Sequence, residues 1–118
     1  MKVCVPSMGK NLNEPISQHF GRAPFFLIVD QESGSVEVLE NRSEHMGGVG
    51  KPPEHIASRG AEIMICSGLG PKAIDMLSSY GICTYVGAQG SVGEAIGQWR
   101  EGRLPSADGD NACKEHRH

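Results

Sequence analysis

The chain has no basic run, no apolar stretch of membrane-spanning length and no Cys-x-x-Cys pair, and each absence removes a class of function. Eleven Lys+Arg against fourteen Asp+Glu give a formal net charge of −3, so the positive footprint that a phosphate backbone requires is missing. Nucleic acid is therefore not an expected partner. The first apolar segment, Val3 to Val5, is too short for a signal-peptide core, and nothing approaches the roughly 20 apolar residues of a membrane span. A soluble cytoplasmic protein without a membrane partner is the expectation. Without Cys-x-x-Cys, a zinc ribbon, a thioredoxin-type redox pair and a ferredoxin-type cluster motif are disfavoured. Four cysteines are present, at 4, 66, 83 and 113, but three lie in strand-like apolar runs, so reduced thiols are expected. A length of 118 residues suits one domain with its own core and leaves no room for a second.

What is present reads as alternating strands and helices. Lys2 to Pro6 is apolar on both faces, as a central strand is, and Ser7 to Arg22 is a long polar loop of the kind that carries function. Phe25 to Asp30 and Ser35 to Glu40 flank the turn-forming Q-E-S-G and should pair as a hairpin, the second strand forming a half-exposed edge. Asn41 to Lys51 is a second, glycine-rich loop, after which Pro52 and Pro53 open a helix that stops near Gly60. Glu62 to Cys66 is a strand, and Gly70-Pro71 starts a helix with Ala73, Ile74, Leu77 and Tyr80 at helical spacing before Gly81. Ile82 to Val86 returns to strand. Ser91-x-x-Glu94 forms a capping box for a last helix with a Val92, Ala95, Ile96, Trp99 stripe, ended by Gly102. Residues 1–104 thus form one mixed-sheet α/β domain, and residues 105–118 are expected to be a flexible tail.

In an open α/β sheet ligands bind beyond the carboxyl ends of the strands, where the loops after Pro6, Cys66 and Val86 should converge. His19, Ser67 to Gly70 and Gly87 to Gly90 then share one rim. Imidazole suits iron and thiolate suits iron–sulfur clusters, so His19 with a cysteine is a sensible donor pair, and Cys66, near a strand end, is the cysteine expected to face the rim. Cys4 and Cys83, mid-strand, are expected to be packing residues. Cys113-x-x-His116-x-His118 supplies three further metal donors within six residues.

Two lookalikes fail, one on a missing acidic residue and one on spacing. Gly68-x-Gly70-x-x-Ala73 follows a strand and opens a helix, but no acidic residue ends the next strand to hold a ribose. Gly47-Gly48-Val49-Gly50-Lys51 lacks the Walker spacing, and Pro52 stands where a hydroxyl residue is required. The first strand, V-C-V-P-S, has no aspartate to hold nuclease metals.

S-Q-H-F-G-R-A-P-F-F (Ser17 to Phe26), the later G-G-V-G, and I-C-S-G-L-G-P-K-A-I-D-M-L followed by Y-G-I together resemble the dinitrogenase iron-molybdenum cofactor biosynthesis family, which includes NifX-type cofactor carriers. The resemblance runs over roughly residues 1 to 104. It implies a ribonuclease-H-like three-layer fold with a five-stranded sheet in the order 3-2-1-4-5. It implies a cofactor-binding turn at His19, Phe20 and Gly21, His19 occupying the H-F-G histidine of cluster-carrying members. It also implies a role for His45, beside Met46 in the glycine-rich loop. An anionic iron-molybdenum cofactor or precursor would be drawn to the backbone amides at Gly68 and Gly70, where a helix begins.

The expected function is accordingly a non-catalytic carrier or chaperone, not an enzyme, for an iron–sulfur cluster or iron-molybdenum cofactor. Cofactor-binding positions are His19, Phe20, Gly21, His45, Cys66, Gly68 and Gly70, and metal donors are His19, His45, Cys113, His116 and His118. Expected partners are metallocluster assembly or acceptor proteins, the chain itself being a monomer or a weak homodimer through the 35–40 edge. The alternative is a small-anion sensor or interaction module that uses the Gly68 to Pro71 helix start without metal.

Overall fold

A computed structural model describes residues 1–41 and 52–107. Five strands form one sheet: β1 (Lys2–Ser7), β2 (Phe25–Asp30), β3 (Val36–Glu40), β4 (Ala61–Ile65) and β5 (Cys83–Tyr85). Three helices cover it: α1 (Pro52–Ser58), α2 (Pro71–Ser79) and α3 (Val92–Arg100). Strand order is β3-β2-β1-β4-β5, with β2 antiparallel to both β1 and β3, and β4 parallel to both β1 and β5. The expected mixed sheet and strand order are therefore present.

Period-two alternation explains how one sheet serves two cores. Val3, Val5, Leu27, Val29, Ile63 and Ile65 pack with Val92, Ala95 and Ile96 of α3. Their neighbours Cys4, Phe26, Ile28 and Met64 point the other way, onto Ile56 of α1 and Leu77 of α2. β1 is central, and every residue from Val3 to Ser7 is buried. Its parallel ladder with β4 ends at Cys4↔Met64, two residues short of Pro6, which has no amide hydrogen to give to a ladder. Beyond that point the two strand ends are free to lead into separate loops.

The loop after β1 is tied down rather than loose. Met8 N–H donates to Pro15 O at 3.0 Å and Ile16 N–H to Gly90 O at 3.0 Å, while Val92 and Gly93 at the start of α3 donate to Glu14 O and Leu12 O at 2.9 Å each. The capping box expected at α3 is formed: Ser91 Oγ accepts from Glu94 N–H, and Glu94 Oε1 accepts from Ser91 N–H. Gly81 follows α2 at φ 80°, the left-handed conformation expected there. β3 is the expected sheet edge, with Val36 and Val38 both exposed.

Two expectations are corrected. The chain does not leave the domain after Leu104: Val86 N–H donates to Pro105 O and Ala107 N–H to Thr84 O, so residues 105–107 return along β5, with Leu104 buried beneath them. A strand with an unpaired edge offers backbone partners that outweigh the low local propensity of this segment. Cys4 and Cys66 are free thiols as expected, whereas Cys83 is disulfide-bonded. Among the described residues no helix is long and apolar enough to cross a membrane.

Candidate functional site

Ser17 begins the site. It is buried, its N–H donates to Pro6 O at 2.9 Å, and its Oγ both donates to His19 O at 3.1 Å and accepts from His19 N–H at 3.3 Å. A serine folded onto the backbone two residues ahead makes a local turn, and this one pins His19 just past the end of β1. The chain then enters a single 3₁₀ turn, Phe20–Arg22, closed by Arg22 N–H donating to His19 O. Phe20 anchors it: the ring packs on Phe26 of β2 with centroids 5.2 Å apart and leans on the α1/α2 core. Asn41 closes the far side by donating from Nδ2 to Gly21 O at 3.1 Å and Ala23 O at 2.8 Å. His19 itself is exposed.

Opposite this turn lies the β4–α2 connection. Gly70 is the N-cap of α2, with extended backbone and no side-chain cap, and Pro71 follows at the first helical position, so the helix start faces outward uncapped. Between the turn and the helix start is an open cleft of about 520 Å³ whose lining includes His19, Phe20, Gly21, Arg22, Gly68 and Gly70. A second open cleft, about 530 Å³, adjoins it, sharing Gln18 and Gly68 and continuing over Ser67 and the Gly87 to Gly90 loop. The three loops expected to converge do so.

Glycine gives this floor its shape. Apart from its chain neighbours, a methyl group built at Gly21, Gly68 or Gly70 would meet none of the described residues within 4 Å, and none of the three has positive φ. Neither packing nor backbone strain therefore requires glycine at these positions. What the missing side chains provide is access to backbone from the cleft.

Among the described residues that line the two clefts, Arg22 carries the formal charge, and it is positive. With the amide ends of α2 it favours an anionic guest. Arg22 and Gln18 were not singled out from the sequence. Gln18 lies between two residues that were, and a side chain that lines both clefts could have been inferred from its position in the turn.

Cys66 is where the structure departs from expectation. It is 1 % exposed, packed in the α1/α2 core, with Sγ directed at Tyr85 O at 3.7 Å. Burial pushes its thiol up to about 12. Burial, together with the neighbouring Cys66, also holds Cys4 well above the ordinary thiol range. A neutral, enclosed thiol is a packing group, so Cys66 does not face the rim. The side chain after the last β4 residue alternates inward, and Ser67 is the one that reaches the cleft. His45, Cys113, His116 and His118 lie outside the described residues. Among the described residues no three metal-ligating side chains gather.

Comparison with known proteins shows the family and the likeness of fold. Residues 1–102 match the family described as dinitrogenase iron-molybdenum cofactor. An uncharacterized protein of Methanocaldococcus jannaschii is 35% identical over 109 residues, covering 88% of this chain and 89% of the relative. Among solved structures, the apo form of the orange protein from Desulfovibrio gigas superposes with a TM-score of 0.82 at 27% identity, over 92% of this chain and 93% of that one. A Thermotoga protein described as a candidate NifB protein gives a TM-score of 0.73 at 38% identity, covering 89% and 91%.

Proposed function

Because the chain belongs to the dinitrogenase iron-molybdenum cofactor family, we propose that it is a non-catalytic carrier or chaperone that holds an iron–sulfur or iron-molybdenum-type cluster in the His19 cleft. The observation that carries this reading is the cleft itself: an exposed imidazole and a guanidinium on a fixed turn, facing an uncapped helix start across a floor of glycines. A cluster is large, anionic and already provided with sulfide ligands. One imidazole can occupy a single iron site, Arg22 and backbone amides can hydrogen-bond the outer sulfides, and the glycines let the cluster sit against the backbone. In this reading the cleft holds the guest without breaking or forming a covalent bond in it, which suits storage and hand-over to assembly or acceptor proteins in the cytoplasm. The sheet is in this reading a ribonuclease-H-like architecture that serves as a binding platform and not as a nuclease.

The test is anaerobic titration with a preformed [4Fe–4S] cluster capped by 2-mercaptoethanol, followed by charge-transfer absorption and iron analysis. Wild-type protein should retain cluster through gel filtration and His19→Ala should lose most of it. Equal retention by both would sink the assignment. The uncapped α2 start keeps a second reading in view, a metal-free anion module, and it would be favoured by phosphate or molybdate binding that persists in His19→Ala without any iron uptake.

A further inference from the structure

The turn that carries His19 and Arg22 is backbone, and one short turn closed by single hydrogen bonds has little intrinsic stability. Its position depends on what grips its carbonyls. Asn41, one residue past β3, spends both hydrogens of one primary amide there: Nδ2 donates to Gly21 O and to Ala23 O, the two carbonyls that flank Arg22. Its backbone N–H donates to Pro24 O at 3.1 Å, so the residue is seated on the same strand end that it grips. Ser17 does the corresponding work at the other end of the turn, from the end of β1. Nothing in the 17–23 segment's own sequence supplies the second clamp.

We infer that Asn41 is a positioning residue for the cleft, holding Arg22 and Gly21 in place through the carbonyls on either side of Arg22, without itself lining the cleft. The inference rests on the carrier reading above. The chemistry is specific to an amide at this reach. Aspartate would set carboxylate oxygens against two carbonyl oxygens, and alanine would leave those carbonyls to water, so in both cases the turn becomes mobile and the guest must order it on binding.

The experiment compares full-length wild type, Asn41→Ala, Asn41→Asp and His19→Ala, using the mercaptoethanol-capped [4Fe–4S] cluster as probe and amide hydrogen exchange as a second readout. Asn41→Ala should weaken cluster affinity by roughly 10-fold, as expected for loss of one or two net hydrogen bonds, and Asn41→Asp by at least as much. Exchange at the Arg22 and Ala23 amides, which close the turn, should quicken in both variants, while the α3 and β1 amides keep wild-type protection. Cluster affinity equal to wild type in Asn41→Ala, with binding lost in His19→Ala, would overturn the inference and leave the carrier reading standing. Binding unchanged in His19→Ala would instead count against the carrier reading. If both Asn41 variants fail to fold, the wild-type Asn41 side-chain amide decides by NMR: its two protons must shift on cluster binding, and unshifted protons overturn the inference.

Discussion

Raising the pH should destabilise this protein through Cys66, and by an amount that its burial sets. The thiol ordinarily ionises near 9.0 and is pushed up to about 12 in the folded chain. A group whose folded pKa lies above its unfolded value adds nothing to the pH dependence below the unfolded value. Above it, the unfolded chain gains by releasing the proton while the folded chain cannot, so stability falls as pH rises from about 9 towards 12. At pH 10 the unfolded thiol is about nine-tenths ionised and the folded one about one-hundredth, which corresponds to about 1.4 kcal/mol lost relative to pH 8. Lysines and tyrosines also titrate in this range, so the measurement is a difference: guanidinium unfolding of wild type and Cys66→Ala, with reductant, at pH 8, 9 and 10. The stability gap between the two should shift against wild type by about 1.4 kcal/mol between pH 8 and 10, any constant offset from the lost sulfur cancelling. Cys4, held high by the same burial, pulls in the same direction in its own variant. A gap that stays flat, or rapid reaction of Cys66 with Ellman's reagent in native protein at pH 8, would refute the placement. Loss of cluster uptake in Cys66→Ala at unchanged stability would restore the thiol as a ligand.

Gly68→Ala should leave thermal stability within a degree or two of wild type, because the new methyl meets open space at an ordinary φ, yet lower cluster retention, because that space is the cleft floor; unchanged retention would move the guest elsewhere. Ser91→Ala removes the hydroxyl half of the α3 capping box and should cost about 1 kcal/mol in denaturant unfolding. The Glu94 amide, which donates to Ser91 Oγ, loses that acceptor and should also exchange faster. Asp30 is held below its ordinary value of 3.8, first by the Glu32 and Ser33 amides that donate to it. Its contribution is complete above that value and disappears as pH falls through the lower folded pKa, so Asp30→Asn should flatten the acid limb of the stability curve below about pH 4 and leave the alkaline limb alone.

Most of the fold was legible because the residues that specify it act locally. The apolar run of Phe25–Asp30, the Ser91-x-x-Glu94 box and Gly81 each predict local geometry within a few residues, and each expected strand and helix is found within about two residues of its expected bounds. Residues 105–107 were not legible, since what orders them is the unpaired edge of β5 twenty residues upstream, and no local signal carries that. His19 and the glycines of the cleft were legible from turn composition and family pattern. Cys66 was not, because it continues the alternation of β4 onto the face of Met64, and with both faces of the sheet buried an apolar run does not tell which face a cysteine takes. Asn41 escaped notice for a related reason. Its two acceptors are 18 and 20 residues away, and they are carbonyls, which leave no mark on sequence.

Why the cleft lies where it does follows from the topology. β1 and β4 are adjacent and parallel, but the chain leaving β1 runs first against the start of α3 on one face, while the chain leaving β4 enters α2 on the other. Two neighbouring strands whose continuations part to opposite faces leave a crevice at their carboxyl ends that no backbone fills. The ladder between them stops before Pro6, so the crevice begins inside the strand and not only in the loops. Ser17 then returns the chain to Pro6 O and delivers His19 to that opening, and Asn41 fixes the turn from the far edge of the sheet. Each segment of the site is thus held by a different strand: His19 by β1, Ser67 to Gly70 by β4, the Gly87 to Gly90 loop by β5 and the outer side of the turn by β3. A guest that touches all of them binds a rigid sheet end, and a guest that fills only one lobe leaves the rest of that preorganisation unused.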